Sequence, residues 1–84
     1  MLYEWDDQKN EQLKQERGIS FEEIEWALDN QPVLEKVLLP QYPHQTIFLI
    51  RIDNYIWAIP TEQRGNKLRL ITAYQSRKFN RKYL

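Results

Sequence analysis

The sequence predicts one domain of the α+β class, with two N-terminal helices on one face of a four- or five-stranded antiparallel sheet and a short basic helix at the C-terminus. Two patterns predict this class. Residues 6–30 have capping residues and helical spacing of apolar side chains, and residues 33–74 hold apolar runs separated by turn residues. The chain has 84 residues, 42% of them apolar, which suffices for one hydrophobic core.

The first helix is predicted to follow a short edge strand at residues 2–5. Asp6 or Asp7 begins it, because either carboxylate can accept hydrogen bonds from the free N–H groups of the first turn. No helix-breaking residue follows until Gly18, which can adopt the left-handed conformation that ends many helices.

The second helix has stronger signals. Ser20 and Glu23 have the spacing of a capping box, and an apolar stripe runs from Phe21 through Ile24. The helix is expected to end near residue 30, because Pro32 disfavours its continuation.

Strands are predicted in the runs 33–39, 45–52, 55–59 and 67–74. Asp53 and Asn54 have the character of a two-residue hairpin turn. The runs that are apolar on both faces indicate central strands, covered on two sides or by helices on one side and a partner on the other. A closing helix is expected at residues 76–84.

The charges are unevenly distributed although the formal net charge is zero. Residues 1–63 carry twelve acids and five bases, whereas residues 64–84 carry seven bases and no acid. Such a segment is typical of proteins that bind a polyanion or an acidic protein. The alternative is a solvated surface whose charges only maintain solubility.

Period-two alternation divides the side chains of the last predicted strand. Lys67 and Arg69 share one face, which we expect to be open because a helix-covered core would not accept unpaired cations. The opposite face is expected to hold Leu68, Leu70, Thr72 and Tyr74. In the closing helix Phe79 and Tyr83 can anchor the packing, and two basic rows consist of Arg77 with Arg81 and Lys78 with Lys82.

Several classes of site and location are excluded or disfavoured by composition. The chain has no cysteine and one histidine, His44, which excludes disulfides, thiolate metal sites and histidine clusters. No metal or cofactor is predicted. No apolar run approaches the roughly 20 residues that span a bilayer, and the N-terminus lacks the apolar region of a signal peptide. We therefore expect a cytoplasmic protein with no membrane partner.

Three segments, YEWDDQKN, RGISFEEIEWAL and TEQRGNKLRLITAY, followed by a basic helix, resemble the BrnT family of bacterial type II toxins. The resemblance implies a RelE-like fold and a metal-independent ribonuclease that cleaves mRNA, free or on the ribosome, and inhibits translation. It also implies a cognate antitoxin with a ribbon-helix-helix domain, and repression of the shared operon through operator DNA bound by the antitoxin.

The resemblance places the catalytic candidates at Lys9, Glu62, Arg64, Arg69 and Tyr83. The chain departs from the family pattern in four places. Arg17 stands where a histidine is usual, Tyr74 where an arginine is usual and Asn80 where a glutamate is common, and Gln63 is an additional residue.

The candidates fit the chemistry of RNA cleavage by attack of the 2′-hydroxyl. Arg64 and Arg69 can bind phosphoryl oxygens, Glu62 can accept a proton, and Tyr74 or Tyr83 can donate one or stack on a base. The predicted RNA-binding residues are Lys67, Tyr74, Arg77, Lys78, Arg81 and Lys82.

Structural alternatives exist for three of the catalytic candidates: a surface charge for Lys9, a salt-bridge partner for Glu62 and a packing anchor for Tyr83. At the level of function, two alternatives to the ribonuclease remain. One is a toxin-like module without cleavage activity that binds antitoxin and operator DNA as corepressor, and the other is a plain nucleic-acid-binding domain.

Overall fold

A computed structural model describes residues 2–83, and the final residue of the predicted closing helix, Leu84, lies outside this range. The domain is α+β, with three helices and a six-stranded, mostly antiparallel sheet. The elements in chain order are β1 (Leu2–Glu4), α1 (Asp7–Arg17), α2 (Phe21–Asn30), β2 (Glu35–Leu39), β3 (Tyr42–Ile52), β4 (Tyr55–Arg64), β5 (Lys67–Leu70), β6 (Tyr74–Gln75) and α3 (Arg77–Tyr83). Within residues 2–83, no helix is both long and apolar enough to cross a membrane.

The two N-terminal helices begin and end at the residues that the capping signals predict. The Asp6 carboxylate accepts hydrogen bonds from the backbone N–H groups of Gln8 and Lys9, and Gly18 ends α1 in the left-handed conformation with φ 66°. Ser20 Oγ accepts a hydrogen bond of 3.1 Å from the N–H of Glu23, as a capping box requires.

The sheet order is β1-β5-β4-β3-β2, and β6 pairs with β4 beyond the end of β5. The prediction of four or five antiparallel strands is therefore wrong in two respects. The sheet has six strands, and β1 pairs with β5 in parallel. The strands β3 and β4 form the long central hairpin around Asp53 and Asn54, whose φ angles of 51° and 67° fit a primed hairpin turn.

Strand boundaries also differ from the prediction. β4 continues to Arg64, beyond the predicted end at residue 59, and β3 begins at Tyr42, before the predicted start at residue 45. A tight turn at Pro40 and Gln41 joins β2 to β3, and a register irregularity leaves Pro43 out of the ladder between them.

The last predicted strand is interrupted by a bulge. Thr61 of β4 pairs with Leu70 and Ala58 pairs with Tyr74, so the segment opposite β4 contains one more residue than β4 does. The extra residue reverses the alternation beyond the bulge. Ala73, rather than Tyr74, joins the buried cluster that contains Leu70, and the predicted face of Tyr74 is wrong.

Each face of the sheet has its own apolar cluster. On the first face, α1 and α2 insert Leu13, Phe21 and Ile24 against strand residues such as Ile50 and Ile59, all at most 1% exposed. On the second face, α3 packs Phe79 and Tyr83 against a smaller cluster of Ile47, Leu49, Ile56 and Ala58. We call these the helical face and the open face, because α3 crosses only part of the second.

Candidate functional site

A row of polar side chains crosses four strands on the open face. Glu4 of β1 is the register partner of Arg69 in β5, Arg69 is opposite Glu62 in β4, and Glu62 is opposite Gln45 in β3. Directly opposed residues in a sheet point to the same face with Cβ atoms about 5 Å apart. We call these four residues the polar row; it brings together Glu62 and Arg69, two of the predicted catalytic residues.

Two ion pairs occupy the polar row in the free chain. Arg69 Nη1 donates a hydrogen bond of 2.9 Å to Glu4 Oε2, and Arg64 Nη2 donates one of 3.3 Å to Glu62 Oε2. The side chains of Arg69 and Glu4 are 26% and 31% exposed, and that of Arg64 is 53% exposed. Partly exposed pairs of this kind contribute about 0 to 1 kcal/mol, so a phosphate group can displace either carboxylate at small cost.

The turn between β4 and β5 positions the cations at one end of the site. Arg64 is opposite Lys67 across the ladder, and Gly65 turns the chain with φ 58°. Gln63 Nε2 donates hydrogen bonds of 2.8 Å to the Gly65 carbonyl and 3.1 Å to the Lys67 carbonyl. Gln63 therefore fastens the turn that carries Arg64 and Lys67.

The charges of this end of the open face nearly balance. Glu4 and Glu62 contribute two negative charges, and Arg64, Lys67 and Arg69 contribute three positive charges. Guanidinium groups can bind a phosphodiester through paired hydrogen bonds, and a carboxylate beside them can accept a proton. The arrangement is chemically suited to a phosphate-containing ligand.

Tyr83 lies away from the polar row. Its hydroxyl donates a hydrogen bond of 2.5 Å to Glu35 Oε1 on β2, and Lys82 Nζ donates one of 3.1 Å to the same oxygen. These two hydrogen bonds hold the pKa of Glu35 below its usual value, and the Glu35 carboxylate raises the pKa of Tyr83. Since β3 and β4 separate β2 from β5, Glu35, to which Tyr83 is bonded, and Arg69 lie on strands about 14 Å apart. The packing-anchor role fits this position.

Lys9 is also not brought to the polar row. It lies on α1, whose Leu13 packs into the cluster of the helical face. The sheet therefore lies between this helix and the side chains of Glu62 and Arg69.

The predicted RNA-binding residues divide into separate groups. Lys67 lies beside the polar row, whereas Tyr74, 38% exposed, lines a cleft with Arg17 and Trp57. Arg77 is exposed at the start of α3. The remaining three line a groove between α3 and β2: Lys78, Arg81 and Lys82.

Two members of the polar row, Glu4 and Gln45, are absent from the sequence-based candidates. Alternation along residues 2–5 places Leu2 and Glu4 on one side of a strand, but nothing in the sequence names β5 as the partner of that strand. Arg17 makes a structural contact that sequence reasoning missed. Its guanidinium donates a hydrogen bond to the carbonyl of Ala73, which is at the bulge.

Residues 2–83 contain no group of three or more His, Cys, Asp or Glu side chains placed to hold a metal ion.

Comparison with known proteins found no matching family model, no matching curated protein and no matching solved structure.

Proposed function

We propose that this chain is the toxin of a type II toxin–antitoxin system, with a RelE-like fold and a metal-independent ribonuclease activity that cleaves mRNA in the cytoplasm. The observation that carries the proposal is the polar row, in which Arg69 and Glu62 are direct register partners on the open face and Arg64 is bonded to Glu62. Cleavage by the 2′-hydroxyl needs a base, cationic groups that bind the phosphoryl oxygens and a proton donor for the leaving 5′-oxygen.

In the proposed reaction, Arg64 and Arg69 exchange their carboxylate partners for the phosphoryl oxygens of the scissile phosphodiester. The released Glu62 carboxylate accepts the proton of the 2′-hydroxyl as its oxygen attacks phosphorus, and the P–O5′ bond breaks to leave a cyclic phosphate. Lys67, opposite Arg64, supplies the proton to the departing 5′-oxygen. One such acid or base contributes roughly a hundred- to ten-thousandfold in rate.

The partners follow from the same proposal. A ribbon-helix-helix antitoxin encoded beside this gene neutralises the toxin, and the complex represses the operon on operator DNA. A second candidate function is the corepressor module without cleavage. The specific observation in its favour is that each arginine of the site already has a carboxylate partner in the free chain, Glu4 for Arg69 and Glu62 for Arg64.

The test is induced expression in a bacterial host, with growth and primer-extension ends on cellular mRNA as readouts. We expect growth arrest and new mRNA ends with the wild type, and neither with Arg64→Ala combined with Arg69→Ala. Arg51→Ala is the matched control, because Arg51 is an exposed arginine at the opposite end of β3. Normal growth with intact mRNA from folded, soluble wild-type protein would exclude the ribonuclease and leave the corepressor.

A further inference from the structure

A groove between β2 and α3 is distinct from the polar row. Val37 of β2 and Phe79 of α3 are its apolar lining, and Lys78, Arg81 and Lys82 supply the positive charge. Its volume is about 660 Å³. Glu35, which also lines it, is paired with Leu49, and Leu49 is paired with Ala58. Because Ala58 and Glu62 are four residues apart on β4, the groove and the polar row are about 13 Å apart along the sheet.

The groove adjoins the free edge of the sheet. β2 ends the strand order, so that within residues 2–83 one side of its backbone has no strand partner. Its other face exposes Leu38, at 73%, and the preceding Leu34 is 37% exposed. An edge strand with exposed leucines is a template for pairing with another strand, although β2 also carries the charged residues Glu35 and Lys36.

Two contacts make the groove a poor site for stacked RNA bases. Lys78 Nζ and Lys82 Nζ lie 5.4 Å and 5.9 Å from the centroid of the Phe79 ring, so the ring is not free to stack on a base. Polyanion binding therefore belongs to the polar row, and the groove requires a ligand with apolar groups as well as negative charge.

A second copy of this chain also fits poorly. Antiparallel pairing of two β2 strands about a twofold axis would place both α3 helices on the same side of the extended sheet. Lys78 and Arg81 of one copy would then approach the same cations of the other. Like charges in such a position oppose association.

We propose that the groove and the free edge of β2 bind an extended acidic segment of another protein, which joins the sheet as an added strand. In an added strand alternate side chains point to opposite faces. Acidic side chains on one face meet Lys78 and Arg81, and apolar side chains on the other face cover Leu38. The partner is thus defined by strict alternation of acidic and apolar residues. This inference does not depend on ribonuclease activity.

The test uses the full chain and a fluorescein-labelled peptide of alternating Glu and Val, equal in length to β2, with fluorescence anisotropy as the readout. A peptide of the same composition in which the Glu and Val residues form separate blocks is the sequence control. We compare wild type, Lys78→Gln with Arg81→Gln, and Leu38→Asp. The matched protein control is Lys14→Gln with Arg51→Gln, which removes two exposed cations elsewhere.

The alternating peptide is expected to bind the wild type and the matched control equally. It should bind the Lys78 and Arg81 double variant about two- to thirtyfold more weakly, as the loss of two ion pairs predicts. Leu38→Asp should weaken binding of the peptide as well. When the peptide binds the wild type, the β2 amides should gain protection from hydrogen exchange. If the peptide with separate Glu and Val blocks binds equally well, net charge alone explains the binding, and the proposal is overturned.

Two other occupants are separate outcomes of the same experiment. A dimer of the wild type that Leu38→Asp dissolves would assign the edge to a second copy. NMR shifts of Val37 and Lys78 on addition of oligouridylate, without shifts at Arg69, would assign the groove to RNA. Either result, like absence of peptide binding to folded wild type, refutes the proposal.

Discussion

Glu4→Gln is expected to strengthen the binding of single-stranded RNA, because Glu4 occupies the guanidinium of Arg69 in the free chain at 2.9 Å. Releasing Arg69 from a partly exposed ion pair recovers about 0.2 to 1 kcal/mol. Removing a negative charge about 6 Å from a bound phosphate relieves about 0.7 kcal/mol of repulsion in water. Together these effects predict binding about five- to twentyfold tighter at about 50 mM salt, with the advantage reduced at about 200 mM.

The assay is anisotropy of a labelled oligouridylate, with thermal unfolding to verify that the variant is folded. Glu11→Gln is the matched control, because Glu11 forms an ion pair of 3.1 Å with Lys14 on α1 and should leave RNA affinity unchanged. Affinity equal to that of the wild type would mean that Arg69 does not contact phosphate. Weaker binding would mean that Glu4 holds Arg69 in its binding orientation, and would refute the competition argument.

Three further predictions concern stability. Phe21 is fully buried, with its ring centroid 5.6 Å from that of Trp5. In urea titrations, Phe21→Ala should therefore lower the free energy of unfolding by about 3 to 5 kcal/mol, and Phe21→Leu should lower it by much less. Thr61 is fully buried and its hydroxyl donates a hydrogen bond of 2.8 Å to the Thr46 carbonyl, so Thr61→Val should cost about 1 kcal/mol; an unchanged urea midpoint would contradict this. Tyr83→Phe removes the largest cause of the lowered pKa of Glu35. Because the folded-state pKa of Glu35 is lowered, its carboxylate stabilises the fold at pH values above its unfolded-state pKa of about 4.3, and this contribution is lost as the pH falls. The Tm difference between Tyr83→Phe and the wild type should therefore be present at about pH 7 and shrink in acid.

Local features of the fold were predictable because they depend on neighbouring residues. The caps at Ser20 and Gly18 and the turn at Asp53 and Asn54 each require a residue type at one position, and the structure has them there. The membership of Phe21 in the core follows in the same way from helical spacing.

Long-range pairing was not predictable in this way. Glu4 meets Arg69 only because β1 pairs in parallel with β5, a contact between residues 65 positions apart. Alternation shows which side chains share a face of one strand but does not identify the neighbouring strand. For that reason half of the polar row, Glu4 and Gln45, was absent from the predicted site although Glu62 and Arg69 were named.

The face of Tyr74 was wrong for a related reason. The bulge before it adds one residue opposite β4, and a shift of one residue reverses every side chain that follows. What holds the bulge is distant in sequence, since the Arg17 guanidinium at the end of α1 donates to the Ala73 carbonyl. No pattern within residues 67–75 contains that information.

Three departures from the resembled family pattern have structural roles in this chain. Arg17, in place of the usual histidine, bonds the bulge; Gln63 fastens the β4–β5 turn; and Asn80 Oδ1 accepts a hydrogen bond of 3.1 Å from the Ile56 N–H. α1, which carries position 17, packs on the helical face, whereas the polar row lies on the open face. A histidine at position 17 would therefore have no direct access to a phosphate bound between Arg64 and Arg69. The proposed chemistry depends on Glu62, Lys67 and the two arginines, and the missing histidine does not remove any member of that set.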